Sequence, residues 1–217
     1  MNPQSYAETH EVFNQVPPLD GANLYAIDLP LQEWLRRYQA GWAEARLHAY
    51  GALAGGPLLQ AGFLANEHKP QFRTHDRYGQ RIDMVDFHPA YHELMRTAIE
   101  HGLTSLPWTQ PQPGAHVARA GLTYLHSQVE AASGCPLTMT FAAVPVIRQQ
   151  PELAEFWLPK VLATQYDPRN VPASEKAGVT IGMAMTEKQG GTDVRANTTR
   201  AYPVGVAGPG QAYELVG

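Results

Sequence analysis

The residues best suited to chemistry fall in one run, Gly182-Met183-Ala184-Met185-Thr186-Glu187-Lys188-Gln189-Gly190-Gly191-Thr192-Asp193. An apolar stretch, Val179 to Met185, gives way there to a polar segment with adjacent glycines. A strand ending in such a segment presents backbone N–H groups, a hydroxyl and a carboxylate at the mouth of a sheet. Phosphates and the polar edges of heterocycles can be held at such a place. The competing reading of the same letters is a solvated strand-to-loop turn.

Other constellations are weaker. His88 and His92 stand four apart, a spacing that lets two imidazoles on one helix share a metal. No glutamate occupies the metalloprotease position between them and no third ligand is evident, so both read as polar positions near a helix start. His10, His48, His68, His75, His101, His116 and His126 form no ligand spacing. The single cysteine, Cys135, excludes a disulfide within the chain. It lies in the apolar run Cys135 to Ala143 without a basic neighbour to lower its pKa, and is expected to be a buried, inert thiol. The glycine signatures of dinucleotide folds and P-loops are absent, as is the nucleophile elbow. The carboxylates cannot be paired from sequence alone.

These groups must be positioned by a chain of 217 residues, 44% hydrophobic and 17% charged, enough for one large domain with a real core. A net charge of −4 gives this chain no electrostatic footprint for nucleic acid. Sparse cysteine points to a reducing compartment, the cytoplasm. Met1 to His10 lacks the basic and apolar regions of a signal peptide, and no stretch has the apolar length of a membrane span.

Residues 1–30 read as an extended arm, with a turn at Pro17-Pro18, that needs another surface to order it; self-association is one way to supply that surface. Trp34, Leu35, Tyr38 and Trp42 recur at helical spacing within a helical pattern from Leu31 to Ala65, punctuated at Gly55-Gly56-Pro57. Ala61 to Ile82 is polar and reads as a connecting loop. Asp86-Phe87-His88-Pro89 marks a helix start and Gly102 its stop. A helix over Ala115 to Ala132 turns Val117, Tyr124, Leu125 and Val129 inward and ends at Gly134 and Pro136. Thr138 to Arg148 and Glu152 to Thr164 are further helices. Lys176 to Thr186, Arg195 to Tyr202 and Gln211 to Val216 are β-prone. The expected fold is α+β: an all-α helical domain over residues 31–168, then the start of an antiparallel β domain over residues 169–217. Three short strands make a marginal sheet, and the last of them enters a turn at Gly217, which implies a longer protein.

The pattern M-T-E-x-x-x-G-[ST]-D, carried by Met185 to Asp193, resembles the flavin-contacting segment of the acyl-CoA dehydrogenase family. The wider stretches Cys135 to Ala143 and Gly182 to Arg200, with Thr9 to Gln15 and Phe87 to His92, are similar to the AidB-like DNA alkylation response branch of that family. The resemblance spans nearly the whole chain. It implies a helical domain, a middle β domain and a C-terminal helical bundle, an FAD cofactor and a homotetramer. Met185 and Thr186 match the pair whose backbone and hydroxyl contact the isoalloxazine ring, where a hydroxyl tunes the flavin's electronics. Thr192 matches the hydroxyl near the FAD pyrophosphate, usually serine in the family. Gly190 and Gly191 match positions that let backbone approach the cofactor, while Asp193 fixes the turn. The catalytic carboxylate, and in this branch the DNA-binding surface, belong to the C-terminal bundle, so the isolated chain is expected to be inactive. An ordinary acyl-CoA dehydrogenase of fatty-acid or branched-chain acyl oxidation shares the same motif and stays open. So does a non-enzymatic module whose arm and helices build a homo-oligomer.

Overall fold

The computed structural model describes residues 13–217. The part of the arm before Phe13 lies outside the described residues, with His10 and the Thr9 to Val12 portion of the resemblance.

The helical body begins with α1 (Leu29–Arg37). Asp28 caps it, its carboxylate accepting the Leu31 N–H at 2.9 Å, and Pro30 sits in the first turn, where a missing N–H costs nothing. The helix stops where Gln39 takes φ +62°. There the chain meets Gly114, itself at φ +77°, and a Cβ on Gly114 would lie 2.7 Å from the Ala40 nitrogen. Of Trp34, Leu35, Tyr38 and Trp42, the positions at helical spacing, only Leu35 is buried. Trp34 stacks on Tyr38 at 4.9 Å on the solvent side.

After a single 3-10 turn at Gly41–Ala43 come α2 (Glu44–Gly55) and α3 (Pro57–Glu67), broken at Gly56. The segment before α1 crosses α2 along its Gly51 and Gly55 face. Gly21 and Leu24 donate backbone hydrogen bonds to the carbonyls of Gly55 (2.7 Å) and Gly51 (3.1 Å). A Cβ at Gly51 would lie 2.5 Å from the Tyr25 nitrogen, and one at Gly55 would run into the Ala22 carbonyl oxygen. Residues 21–25 of the arm therefore order on this chain's own helix.

The span read as a loop contains an antiparallel hairpin, β1 (Gln71–His75) and β2 (Arg81–Asp86). The Asp76 carboxylate accepts the N–H groups of Tyr78 (2.8 Å) and Gln80 (3.0 Å), and Gly79 takes φ +80°. Helix α3 also runs on to Glu67, past the predicted boundary.

Then follow α4 (Pro89–Glu100), the short α5 (Leu106–Thr109), α6 (Ala115–Ser127), α7 (Gly134–Ile147) and α8 (Pro151–Val161). Gly102 stops the α4 turn at φ +85°, as its sequence position predicts. Gly134 and Pro136 open α7 rather than closing α6. Tyr124 faces outward, 51% exposed, because Leu122, Leu125 and His126 take the inner face of α6. Leu35, Leu47, Tyr50, Leu58, Leu94 and Leu122 join in one core. Burial of each such leucine contributes roughly 1.5–3 kcal/mol.

Helices come first and a β region after, as expected for the α+β fold. The region ends in the antiparallel pair β3 (Arg200–Pro203) and β4 (Tyr213–Val216). Lys176 to Thr186 is not a strand. Its amides bond to the helical body instead: Val179 N–H to the Lys160 carbonyl at 3.2 Å, and Ile181 N–H to the Thr140 hydroxyl at 3.0 Å. Among the described residues, no helix is long and apolar enough to cross a membrane.

Candidate functional site

The run from Met185 to Thr192 forms a loop between the helical body and β3. Met185 is 58% exposed, and Thr186, Gly191 and Thr192 are exposed beside it. Gly190 is buried. Glu187 and Gly190 exchange backbone hydrogen bonds, N–H to carbonyl at 2.9 Å and 3.1 Å, and so close a tight turn. Asn197 donates its side-chain amide to the Met185 carbonyl at 2.8 Å. Its Oδ1 is buried without a hydrogen-bond partner among the described residues, against Gly190, where a Cβ would lie 2.5 Å away. Gly190 is thus a glycine because Asn197 fills its space. At Gly191, by contrast, an added Cβ would meet nothing within 4 Å. The Asp193 carbonyl accepts the Ala196 N–H at 3.1 Å and starts a 3-10 turn.

Sequence reasoning missed Glu187. Its carboxylate accepts the Thr198 N–H at 2.9 Å and the Thr199 N–H at 2.6 Å, together with the Thr199 hydroxyl and the Gln189 amide. The Thr199 hydroxyl, then the Thr198 and Thr199 amides, lower its pKa to about 2. The carboxylate is therefore ionised at neutral pH and spent on the loop's own architecture. The nearest sequence signal is Thr198-Thr199, two adjacent hydroxyl residues that a carboxylate can gather.

The geometry leaves a chemically useful remainder. Among the described residues, the Thr186 and Thr192 side chains and the backbone N–H groups of Gly191 and Thr192 donate to no protein acceptor. A locked backbone with unspent donors and open space above Gly191 suits an anionic or carbonyl-bearing group. The residues fit a flavin's polar edge or a pyrophosphate in chemistry and exposure.

Elsewhere the titratable groups serve structure. His88 caps α4 through Nδ1, which accepts the Ala90 N–H at 3.2 Å, and its ring stacks on His68 at 4.5 Å. His92 bonds the Tyr166 hydroxyl at 2.7 Å through Nδ1. Burial, then Arg96, lowers the His92 pKa. The two imidazoles thus have separate partners, and among the described residues no three His, Cys, Asp or Glu side chains converge. His92 and Tyr166 line a polar cleft of about 410 Å³ between β2 and residues 166–180. Cys135 is exposed in the first turn of α7, not buried, because Leu137 and Thr140 take the inner face there. Within the core, His126 bonds Tyr50 and Ser133, both at 2.7 Å.

Residues 14–168 match the family described as the adaptive response protein AidB N-terminal domain. The AidB protein of Escherichia coli (strain K12) is 45% identical over 197 residues, which cover 89% of this chain and 36% of that protein. Acyl-CoA dehydrogenase family member 11 of Caenorhabditis elegans is 24% identical over 168 residues, 76% of this chain and 26% of that protein. The chain thus spans about a quarter to about a third of the length of these relatives. Among solved structures, Bd2924 in its apo form superposes with a TM-score of 0.78 at 26% identity, covering 95% of this chain and 41% of that one. The Caenorhabditis elegans ACDH-11 complex with C11-CoA gives 0.75 at 24% identity, covering 97% of this chain and 35% of that one.

Proposed function

We propose, for a chain that belongs to the AidB-like branch of the acyl-CoA dehydrogenase family, that the Met185 to Thr192 loop is one wall of an FAD site. The observation that carries this reading is the division of labour within the loop. Glu187 and Asn197 fix the backbone, while Thr186, Gly191 and Thr192 keep their donors unspent and exposed. FAD, when bound, supplies a two-electron acceptor for flavin-linked oxidation of an acyl-CoA-like substrate. Thr186 and the Met185 backbone would orient the isoalloxazine edge, and Thr192 and the Gly191 amide would meet the pyrophosphate. Gly190 shapes the turn and does not itself face the cofactor.

In this reading the complete protein is a cytoplasmic homo-oligomer, a homotetramer as in the family resemblance, acting in protection against DNA alkylation. DNA contact is assigned to sequence outside this chain, whose net charge of −4 offers phosphates little. An acyl-CoA substrate is supported by the family relationship and by the C11-CoA bound to ACDH-11. The test is titration of FAD into the complete protein, followed by quenching of flavin fluorescence, for the parent and for Thr186→Ala and Thr192→Ala. The reading expects saturable binding that each substitution weakens by about three- to tenfold, the loss of one or two hydrogen bonds. Equal affinity in all three would refute it.

An assembly role is the second reading. It is favoured by the exposed aromatic face of Trp34, Tyr38 and Tyr124. It predicts a stable oligomer, by sedimentation, in protein carrying no flavin.

A further inference from the structure

The loop that the FAD reading invokes has an unusual internal economy. A carboxylate with exposure to water ordinarily satisfies its oxygens with solvent. The Glu187 carboxylate gathers donors from three residues, two of them eleven and twelve positions further along the chain. Both oxygens are used: one takes the Thr199 amide and hydroxyl, the other the Thr198 amide and the Gln189 side chain. A second tie lies alongside, where Asn197 holds the Met185 carbonyl at 2.8 Å. These ties pin residues 185–190 against residues 197–199, while Gly191 to Asp193 crosses between them. Bonds to an ionised acceptor are the stronger kind, and a backbone fixed beforehand loses less entropy when it binds.

We propose that Glu187 is the positioning residue of this loop: its carboxylate, together with Asn197, holds the Met185–Thr186 and Gly191–Thr192 backbone in the conformation that presents their donors. The inference rests on the FAD reading for what those donors meet, and on geometry alone for the clasp. Glu187 touches no cofactor in this account and acts through the backbone it fixes.

Amide hydrogen exchange decides the clasp, and FAD titration decides the ligand. Exchange at Gly190, Thr198 and Thr199 would be followed in this chain for the parent, Glu187→Gln, Glu187→Ala and Thr199→Val. The α4 and α6 amides serve as the folding control. Glu187→Ala is expected to speed exchange at those three amides by about tenfold without changing the helices: Thr198 and Thr199 each lose their one acceptor, and Gly190, bonded to the Glu187 backbone carbonyl, loosens as the turn is released. Glu187→Gln keeps one acceptor oxygen and should fall between. Thr199→Val, which removes one donor and leaves the carboxylate, should loosen Thr199 more than Gly190. Unchanged exchange in Glu187→Ala overturns the proposal, and so does equal loosening of the helical control. In the complete protein, Glu187→Ala should weaken FAD about tenfold and shift the bound flavin's visible spectrum, with partial rescue by Gln. Parent protein that takes up no FAD while the loop still loosens would sink the FAD reading and leave the clasp standing. FAD affinity and spectrum unchanged in a loosened Glu187→Ala loop would overturn the positioning role.

Discussion

Acidification should unlock the helical core through one side chain. His126 is fully buried on α6, and its two ring nitrogens bond the Tyr50 hydroxyl and the Ser133 hydroxyl. A neutral imidazole serves both hydroxyls by donating at one nitrogen and accepting at the other. An imidazolium donates at both, so one hydroxyl loses its acceptor inside the core. Burial lowers the pKa to about 4, and the nearby Glu130 only partly opposes it. The unfolded chain, with an ordinary value near 6.5, therefore binds a proton that the folded chain refuses. Stability from this group is complete above pH 6.5 and is lost as pH falls towards 4. At roughly 1.4 kcal/mol per unit, the gap amounts to about 3 kcal/mol in all, of which about 1 is lost by pH 5.5 and about 2 by pH 5. The assay is urea unfolding at pH 7.0, 6.0, 5.5 and 5.0, read by far-ultraviolet circular dichroism, on the parent, His126→Gln and His92→Gln. His92 also has a lowered pKa, so it is the control for a second histidine. The His126→Gln protein should be less stable at pH 7, with a flatter dependence between pH 6.5 and 5 than either other protein. A parent slope no steeper than that of His126→Gln would refute the reasoning, whatever the absolute stabilities.

Four further outcomes follow from the geometry. Gly191→Ala should leave the melting temperature within a degree or two of the parent and weaken FAD uptake. Gly190→Ala should loosen the loop through the Asn197 contact, by amide exchange, before any ligand is added. Gly55→Ala should cost about 2–3 kcal/mol in urea unfolding, because its methyl group displaces the Ala22 backbone. Asp28→Ala should cost about 1 kcal/mol through loss of the α1 cap, with Asp28→Asn close to the parent.

Local signals were readable wherever they were strong and near in sequence. The His88-Pro89 start of α4, the Gly102 stop, and α7 and α8 to within a turn or so follow from capping residues and apolar spacing. The exposed, donor-bearing loop at Thr186 to Thr192 was marked by its adjacent glycines and hydroxyls. The β1–β2 hairpin was not, because β1 is exposed along its length and the alternation in β2, Ile82 and Met84 against Arg81 and Asp83, is too short to stand out from the polar stretch around it. Residues 176–186 have strand-like composition, but their amides find the Lys160 carbonyl and the Thr140 hydroxyl, partners that local propensity does not reveal. Gly55 reads in the sequence as helix punctuation with Gly56 and Pro57, and its second role, together with Gly51, as the bed for residues 21–25 depends on a segment about thirty residues away. Glu187 was hidden for a similar reason: its partners at Thr198 and Thr199 meet it only after the loop has closed.

The crossing of residues 21–25 over α2 sets an order of events during synthesis. The amides of Gly21 and Leu24 leave the ribosome well before the carbonyls of Gly55 and Gly51 that receive them, about thirty residues later. Until α2 has emerged and coiled, the leading segment has nowhere to settle. Its docking therefore reports that the first helices have been completed, and a stall before Gly55 would leave the nascent chain with an undocked leader for chaperones to recognise.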